Sequence, residues 1–363
     1  MNTESKDSRI KVLIVDDSAF MRIALARMVA DDPSLSVVGT AASGTEALQK
    51  IVGLDPDVIT LDMEMPGLDG LETLRRIMAQ FPRPVIMVSS ATLSSAESTF
   101  MALAAGAFDY VPKQLSPASL DISHIREDLV AKIKAAAESR RSRDALSLQR
   151  KPPRTADPAT RKVSHATPAI IAVGISTGGP KALQEILPTL PGDLPVPILI
   201  VQHMPAGFIA AFAKRLNGLC ALSICEASHG AVVQPGVVYL APAGFQMTID
   251  RLADSRTLIS LSGKAENQVH VPSVDVMMRS VASAFHSQAT GIIMTGMGAD
   301  GAQGMKAIHR EGGLTVGQDE ASCAVYGMPR VCAEMGILDR VVPLSQIPQE
   351  ILQATRYRKT NAG

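Results

Sequence analysis

Along the chain, short apolar runs keep ending in a small polar or glycine cluster, and beyond each cluster apolar residues return every three or four positions. A continuous apolar run bounded by turn residues reads as a buried strand, and the three-to-four spacing reads as a helix with one covered face. Residues 10–15, IKVLIV, give the first strand; Asp16, Asp17 and Ser18 stop it, and a helix follows over 19–30. Strands at 36–40 and 58–61 are each followed by a helix, over 44–52 and 70–79, and strands at 85–89 and 108–111 complete five. Strands alternating with helices through short connections predict a doubly wound, five-stranded parallel α/β sheet, whose chemistry gathers where the strands end.

Helical spacing at 122–137 fades into residues 138–167, where Arg140, Arg141, Arg143, Pro152 and Pro153 carry no periodicity. This stretch reads as a flexible linker between a first domain at 9–128 and a second at 168–356. Its basic residues lack the interleaved aromatics of a nucleic-acid surface, which favours a solvated tether. In the second domain residues 169–187, AIIAVGISTGGPKALQEIL, pass from strand through a glycine-rich turn into a helix. Strands at 196–202, 237–241, 257–261, 290–295 and 314–318, with helices at 208–216, 274–284 and 304–310, predict a second α/β domain, Rossmann-like with a mainly parallel sheet. The strand-rich stretch 222–261 leaves room for a hairpin beside that sheet.

Composition narrows the partners more than the fold. Basic and acidic side chains number 35 each, so no global field draws the chain to nucleic acid or an anionic membrane. No apolar segment reaches the roughly 20 residues that cross a bilayer. The four cysteines, Cys220, Cys225, Cys323 and Cys332, form no CxxC pair and follow no secretory leader. A soluble cytoplasmic protein with reduced thiols is expected, without membrane insertion and without nucleic acid.

The strand ends of the first domain carry Asp16 and Asp17, then Asp62, Ser89 and Lys113. Clustered carboxylates repel one another, and a hard cation with oxygen ligands, Mg²⁺, relieves the repulsion. Asp62 can then attack a phosphoryl donor, with Lys113 neutralising the developing charge and Ser89 hydrogen-bonding the acyl phosphate. Taken singly, each acid also fits a helix cap or a polar loop; five such residues gathered at four strand ends argue against that reading. The stretch resembles a bacterial response-regulator receiver domain, through VDDS, TLDMEMPGLDG, MVSS and DYVPK. The resemblance implies that a histidine kinase phosphorylates Asp62, that Asp16, Asp17 and Asp62 hold Mg²⁺, and that Ser89 and Tyr110 respond. Many receivers follow the lysine with proline, whereas Gln114 stands there in this chain.

Gly174-Ile175-Ser176-Thr177-Gly178 matches GxSxG in the strand-turn-helix context of a nucleophile elbow. A hydroxyl on such a bend, beside the open amides of a helix start, can attack and have its oxyanion held. The same turn also fits a phosphate cradle or a structural bend, and a non-catalytic regulator that binds a partner there is the alternative from another class. The usual hydrolase order Ser, Asp, His would need Asp275 with His286 or Asp300 with His309, but Asp275, His286 and His309 lie within helix patterns. Groups that directly follow strands fit better. These are His203, closing PVPILIVQHMP, and Asp300, in GIIMTGMGADG. His270, in HVPSVD ahead of a helix, is the strongest rival base and reads as substrate-contacting or structural. Amides near Thr177, Gly178 and Met297 are the expected oxyanion donors.

With these residues in place the chain resembles the two-domain chemotaxis methylesterase family, a receiver joined to a protein-glutamate methylesterase and protein-glutamine glutaminase domain. The motifs are VGISTGGP, VQHMPAGF, HVPSVD, TGMGADGAQGM and EASCAVYGMPR, in that order. The resemblance implies Ser176 as nucleophile, His203 as base and Asp300 as triad acid, with no cofactor at the hydrolase site. It also implies methyl-accepting chemotaxis receptors as substrate and a chemotaxis histidine kinase as partner.

Overall fold

Strands form where the apolar runs lie, and polar side chains at their ends start the helices. In the computed structural model, which describes residues 9–90, 93–113, 121–148, 169–263 and 270–356, the chain divides into two units, Met1–Pro152 and Pro153–Gly363. The first unit runs β1 (Ile10–Val15), α1 (Ala19–Ala30), β2 (Leu35–Ala41), α2 (Gly44–Leu54), β3 (Val58–Asp62), α3 (Gly70–Gln80), β4 (Val85–Ser89), α4 (Leu93–Ala104), β5 (Asp109–Pro112) and α5 (Asp121–Leu148). Ser18, Ser43 and Asp69 each accept a backbone N–H from the first turn of the helix they precede. The strands pair in the order β2-β1-β3-β4-β5, all parallel, as expected.

Helix α5 corrects the expected linker. It runs past Glu138, where the tether was predicted to begin, as far as Leu148. Its polar turns carry no apolar stripe, but Arg140 donates from Nη1 to the Pro56 carbonyl at 3.1 Å and lies 3.8 Å from Asp57 Oδ1. Such a tertiary tie holds a helix that periodicity cannot reveal. The remainder of the predicted linker, 149–167, and Gln114 lie outside the described residues.

The second unit contains β6 (Ile170–Ile175), α6 (Gly179–Ile186), β7 (Ile198–Gln202), α7 (Phe208–Leu219), β8 (Ser223–Glu226), β9 (Val237–Leu240), β10 (Gln246–Arg251), β11 (Thr257–Ser262), α8 (Val274–Phe285), β12 (Ala289–Ile293), α9 (Ala302–Arg310), β13 (Leu314–Gln318), α10 (Met328–Glu334), β14 (Arg340–Val342) and α11 (Ile347–Ala354). Its large sheet has the order β14-β13-β12-β6-β7-β9-β8, with every pair parallel. The chain enters at β6, winds outward through β7, and returns on the other side at β12, so the winding direction reverses between β6 and β12. Open α/β sheets bind ligands at such a reversal. Strands β10 and β11 form the expected hairpin, an antiparallel ribbon. Helix α8 fastens the ribbon to the sheet: Met277, Met278 and Val281 share one buried cluster with Met247, Ile249, Ile259, Ile170 and Leu199.

Candidate active site and phosphoacceptor cluster

Strand register brings the first two catalytic candidates together. Ile175 of β6 lies opposite Gln202 of β7, so Ser176 and His203 are the next residues on adjacent strand ends, and the His203 amide donates to the Ile175 carbonyl at 3.2 Å. On the other flank the Ser176 amide donates to the Thr295 carbonyl at 3.0 Å. A Cβ on Gly296 would stand 2.8 Å from that of Ser176, so only glycine permits the approach. Gln202 is buried, and its Nε2 donates to the carbonyls of both Ser176, at 3.1 Å, and His203, at 2.9 Å. One side chain thus clamps the two strand ends.

Asp300 follows β12 across the winding reversal. Its Oδ2 lies 2.8 Å from His203 Nε2 and accepts the Val274 amide at 2.8 Å; its Oδ1 accepts from Ser273 Oγ at 2.8 Å and from the Asp275 amide at 3.0 Å. The carboxylate therefore sits on the N-terminus of α8, where the helix dipole also favours negative charge. Burial is the largest single influence on its acidity and opposes ionisation, but the His203, Asp275 and Val274 contacts outweigh it and hold the group well below the ordinary carboxylate range. With Nε2 turned to Asp300, Nδ1 is the nitrogen left for the serine. The amides of Thr177, Gly178 and Met297 meet no acceptor among the described residues.

The alternative pairings come apart. Asp275 Oδ1 accepts the Gly304 amide at 2.7 Å as a cap on α9, His286 pairs with exposed Glu311 at 2.7 Å, and His309 lies 3.8 Å from Asp339. His270 stacks on His203 instead of replacing it, with ring centroids 4.6 Å apart. Sequence reasoning missed Gln202, Ser273 and Gln246, whose Oε1 accepts the Ser273 amide at 2.8 Å. Ser273 carried a signal, since it precedes a helix as an N-cap serine should; the two glutamines carried none. All four cysteines are free thiols, and of these Cys332 is buried and Cys225 exposed.

In the first unit Asp16, Asp17 and Asp62 present ligand oxygens that all lie within 4.8 Å of one another. Lys113 Nζ lies 2.9 Å from Asp16 Oδ2 and 2.7 Å from Asp62 Oδ2, yet neither oxygen has a well-aligned hydrogen-bond donor. Burial pushes Asp62 above its ordinary value, and Lys113 only partly offsets this; burial works against the Lys113 charge too, but Asp62 and Asp16 hold its pKa up. Oxygen donors with this much uncompensated charge suit a hard divalent cation. Ser89 is buried and accepts from Thr99 Oγ1 of α4 at 2.9 Å, and Tyr110 is buried on β5.

Comparison with known proteins finds relatives of both units. A family model described as response regulator receiver domain matches residues 12–123, and one described as CheB methylesterase matches 171–351. Protein-glutamate methylesterase/protein-glutamine glutaminase 1 of Geobacter sulfurreducens is 42% identical over 355 residues, 96% of this chain and 98% of that protein. The chain belongs to this methylesterase/glutaminase family. A family member from Symbiobacterium thermophilum is 45% identical over 354 residues, 95% of this chain and 97% of its own length. The crystal structure of the Thermotoga maritima CheB methylesterase catalytic domain superposes with a TM-score of 0.50 at 35% identity, covering 52% of this chain and 99% of that one. Like its family, the chain is a hydrolase of chemotaxis that carries its own receiver.

Proposed function

We propose that Ser176, His203 and Asp300 form the catalytic triad through which this receiver-controlled enzyme demethylates glutamate methyl esters, and deamidates glutamines, on methyl-accepting chemotaxis receptors. The observation that carries the reading is the 2.8 Å contact of His203 with a fully anchored Asp300, at the strand end beside Ser176 and at the winding reversal of the sheet.

In the first step Ser176 Oγ attacks the side-chain carbonyl carbon while His203 Nδ1 takes its proton; Asp300 keeps the other nitrogen protonated and stabilises the imidazolium. The developing oxyanion is met by the Thr177, Gly178 and Met297 amides. Collapse breaks the carbon–methoxy bond, the imidazolium gives its proton to the leaving methoxide, and methanol departs. Water, deprotonated by His203, then cleaves the acyl-serine, leaving a glutamate carboxylate and the free hydroxyl. For glutamine the carbon–nitrogen bond breaks and ammonia leaves. The hydrolase chemistry requires no cofactor.

Control enters at Asp62, which accepts a phosphoryl group from a chemotaxis histidine kinase. Asp16, Asp17 and Asp62 would hold Mg²⁺, which would neutralise the phosphoryl charge. Lys113 stays charged beside Asp62, and Ser89 and Tyr110 act as the switch. In this reading the receiver spans 9–128 and the catalytic domain 168–356, joined by a tether whose first part, 138–148, is helical. The protein works in the cytoplasm; among the described residues no helix is long and apolar enough to cross a membrane. Reaction with a serine-directed phosphonate tests the triad. Labelling confined to Ser176, with methanol release abolished in proportion, is expected; full methanol release from a protein labelled at Ser176 would overturn it.

A further inference from the structure

His270 belongs to no step of the triad mechanism, yet its ring lies face to face with the base, with centroids 4.6 Å apart and planes 11° from parallel. The placement is built rather than incidental. Gln246, buried at the start of β10, donates from Nε2 to the His270 carbonyl at 2.8 Å and accepts the Ser273 amide on its Oε1 at 2.8 Å. The same Ser273 donates to Asp300. One glutamine therefore ties the stacked ring and the anchor of the triad acid to a common frame.

The groups facing His270 are His203 at the end of β7, Asp300 after β12 and Asp275 on α8. Asp275 is already engaged by the Gly304 amide and lies 3.6 Å from Arg279. Burial, then the neighbouring His203, disfavours a charge on His270. Among the described residues Asp300, at Nε2, is the one hydrogen-bond partner of the His203 ring, which leaves the ring free to tilt about that contact. A flat neighbour removes the tilt, and a neutral aromatic face also attracts a cation placed over it. A charged neighbour at the same distance would repel it.

We propose that His270 is a positioning residue for the general base, a neutral face that sets the plane of His203 and against which the His203 imidazolium forms during acylation. The inference rests on the triad reading above, and its test separates the two. Full-length His270→Phe, His270→Ala and His270→Lys are compared with the unaltered protein for methanol release from methylated receptor across pH, phosphonate labelling and thermal unfolding. His270→Phe, which keeps a flat face, is expected to hold kcat within about threefold, whereas His270→Ala loses about tenfold in kcat with KM nearly unchanged. His270→Lys loses more and moves the acid limb of the rate profile to lower pH, because a fixed cation opposes protonation of His203. Unchanged kcat and an unmoved limb in the alanine and lysine variants, with Ser176 still labelled, overturn the stacking role alone. A phenylalanine variant as impaired as alanine overturns it too, by giving the work to a ring nitrogen. Equal losses in all three with lowered unfolding temperature and an unmoved limb reduce His270 to scaffold. Failure of the unaltered protein to label at Ser176 removes the triad, and the stacking role with it.

Discussion

Each unit of the chain buries a carboxylate on the carboxyl side of a parallel sheet, Asp62 at the end of β3 and Asp300 in the loop after β12, and the two are treated in opposite ways. Asp62 meets one backbone amide, one ammonium and a second carboxylate, and burial leaves it less acidic than usual. Asp300 meets a histidine, a serine hydroxyl and two amides at a helix start, and is more acidic than usual despite burial. Burial therefore does not decide the state of a buried acid; the number and aim of its donors does. In the proposed roles, an oxygen that attacks phosphorus and holds a cation has to keep lone pairs uncommitted. An acid that must orient an imidazole has every reason to commit all of them.

The sharpest break between the two sites comes from removing the proposed nucleophile of only one. Ser176→Ala should lower hydrolysis by about 10⁶-fold, since nucleophile and base act as a unit. Its circular dichroism spectrum and the phosphorylation of Asp62 should be unchanged; near-normal turnover would refute the triad. Next in size, Asp300→Asn should cost about 10⁴-fold, because the oxyanion donors survive while the imidazole loses its orientation. The same variant reads out the donors. Because Asp300 is more acidic folded than unfolded, its ionised form contributes stability above the unfolded value of about 3.9, and that contribution fades as pH falls toward the folded value. The gap in unfolding temperature between wild type and Asp300→Asn should be widest near neutrality and close in acid. A gap that ignores pH would mean that the four donors do not hold the charge.

Both strand-end sets could be read from the chain because local rules place them. An apolar run that stops at Asp16-Asp17 or at Gly-Ile-Ser names its own carboxyl end, and a parallel sheet puts all such ends on one side. What could not be read depends on side chains meeting across long separations. The Gln202 clamp, the Gln246 bridge and the His270 stack join residues that no period relates. Helix α5 was cut short for the same reason. Beyond Glu138 it has the charged composition of a tether, and its Arg140 contact with Pro56 lies far back in the chain.

A smaller change tests how Asp300 earns its difference from Asp62. Ser273→Ala removes one of four donors and should lower kcat by about tenfold, in line with one charge-assisted hydrogen bond, with KM nearly unchanged and partial rescue in Ser273→Thr. Equal kcat in the alanine variant would show that the α8 amides suffice.

The smallest effect on basal turnover, and the one that closes the comparison, belongs to Asp62→Asn. Without a phosphodonor this variant should hydrolyse methylated receptor within about twofold of wild type, since Asp62 has no step in the proposed Ser176 chemistry. Its rate should then ignore acetyl phosphate, to which wild type is expected to respond. Stability should move the opposite way from Asp300→Asn. The pKa of Asp62 is raised by burial, so its ionised form costs stability at neutral pH, and the neutral amide beside Asp16 removes that cost. The unfolding temperature of the unit that holds Asp62 should rise in the absence of divalent cation. Adding Mg²⁺ should stabilise wild type, because a ligand that binds only the folded state shifts the equilibrium by mass action, and should stabilise Asp62→Asn much less. Equal stabilisation of both proteins by Mg²⁺ would place the cation elsewhere and leave the crowded carboxylates without their counter-ion.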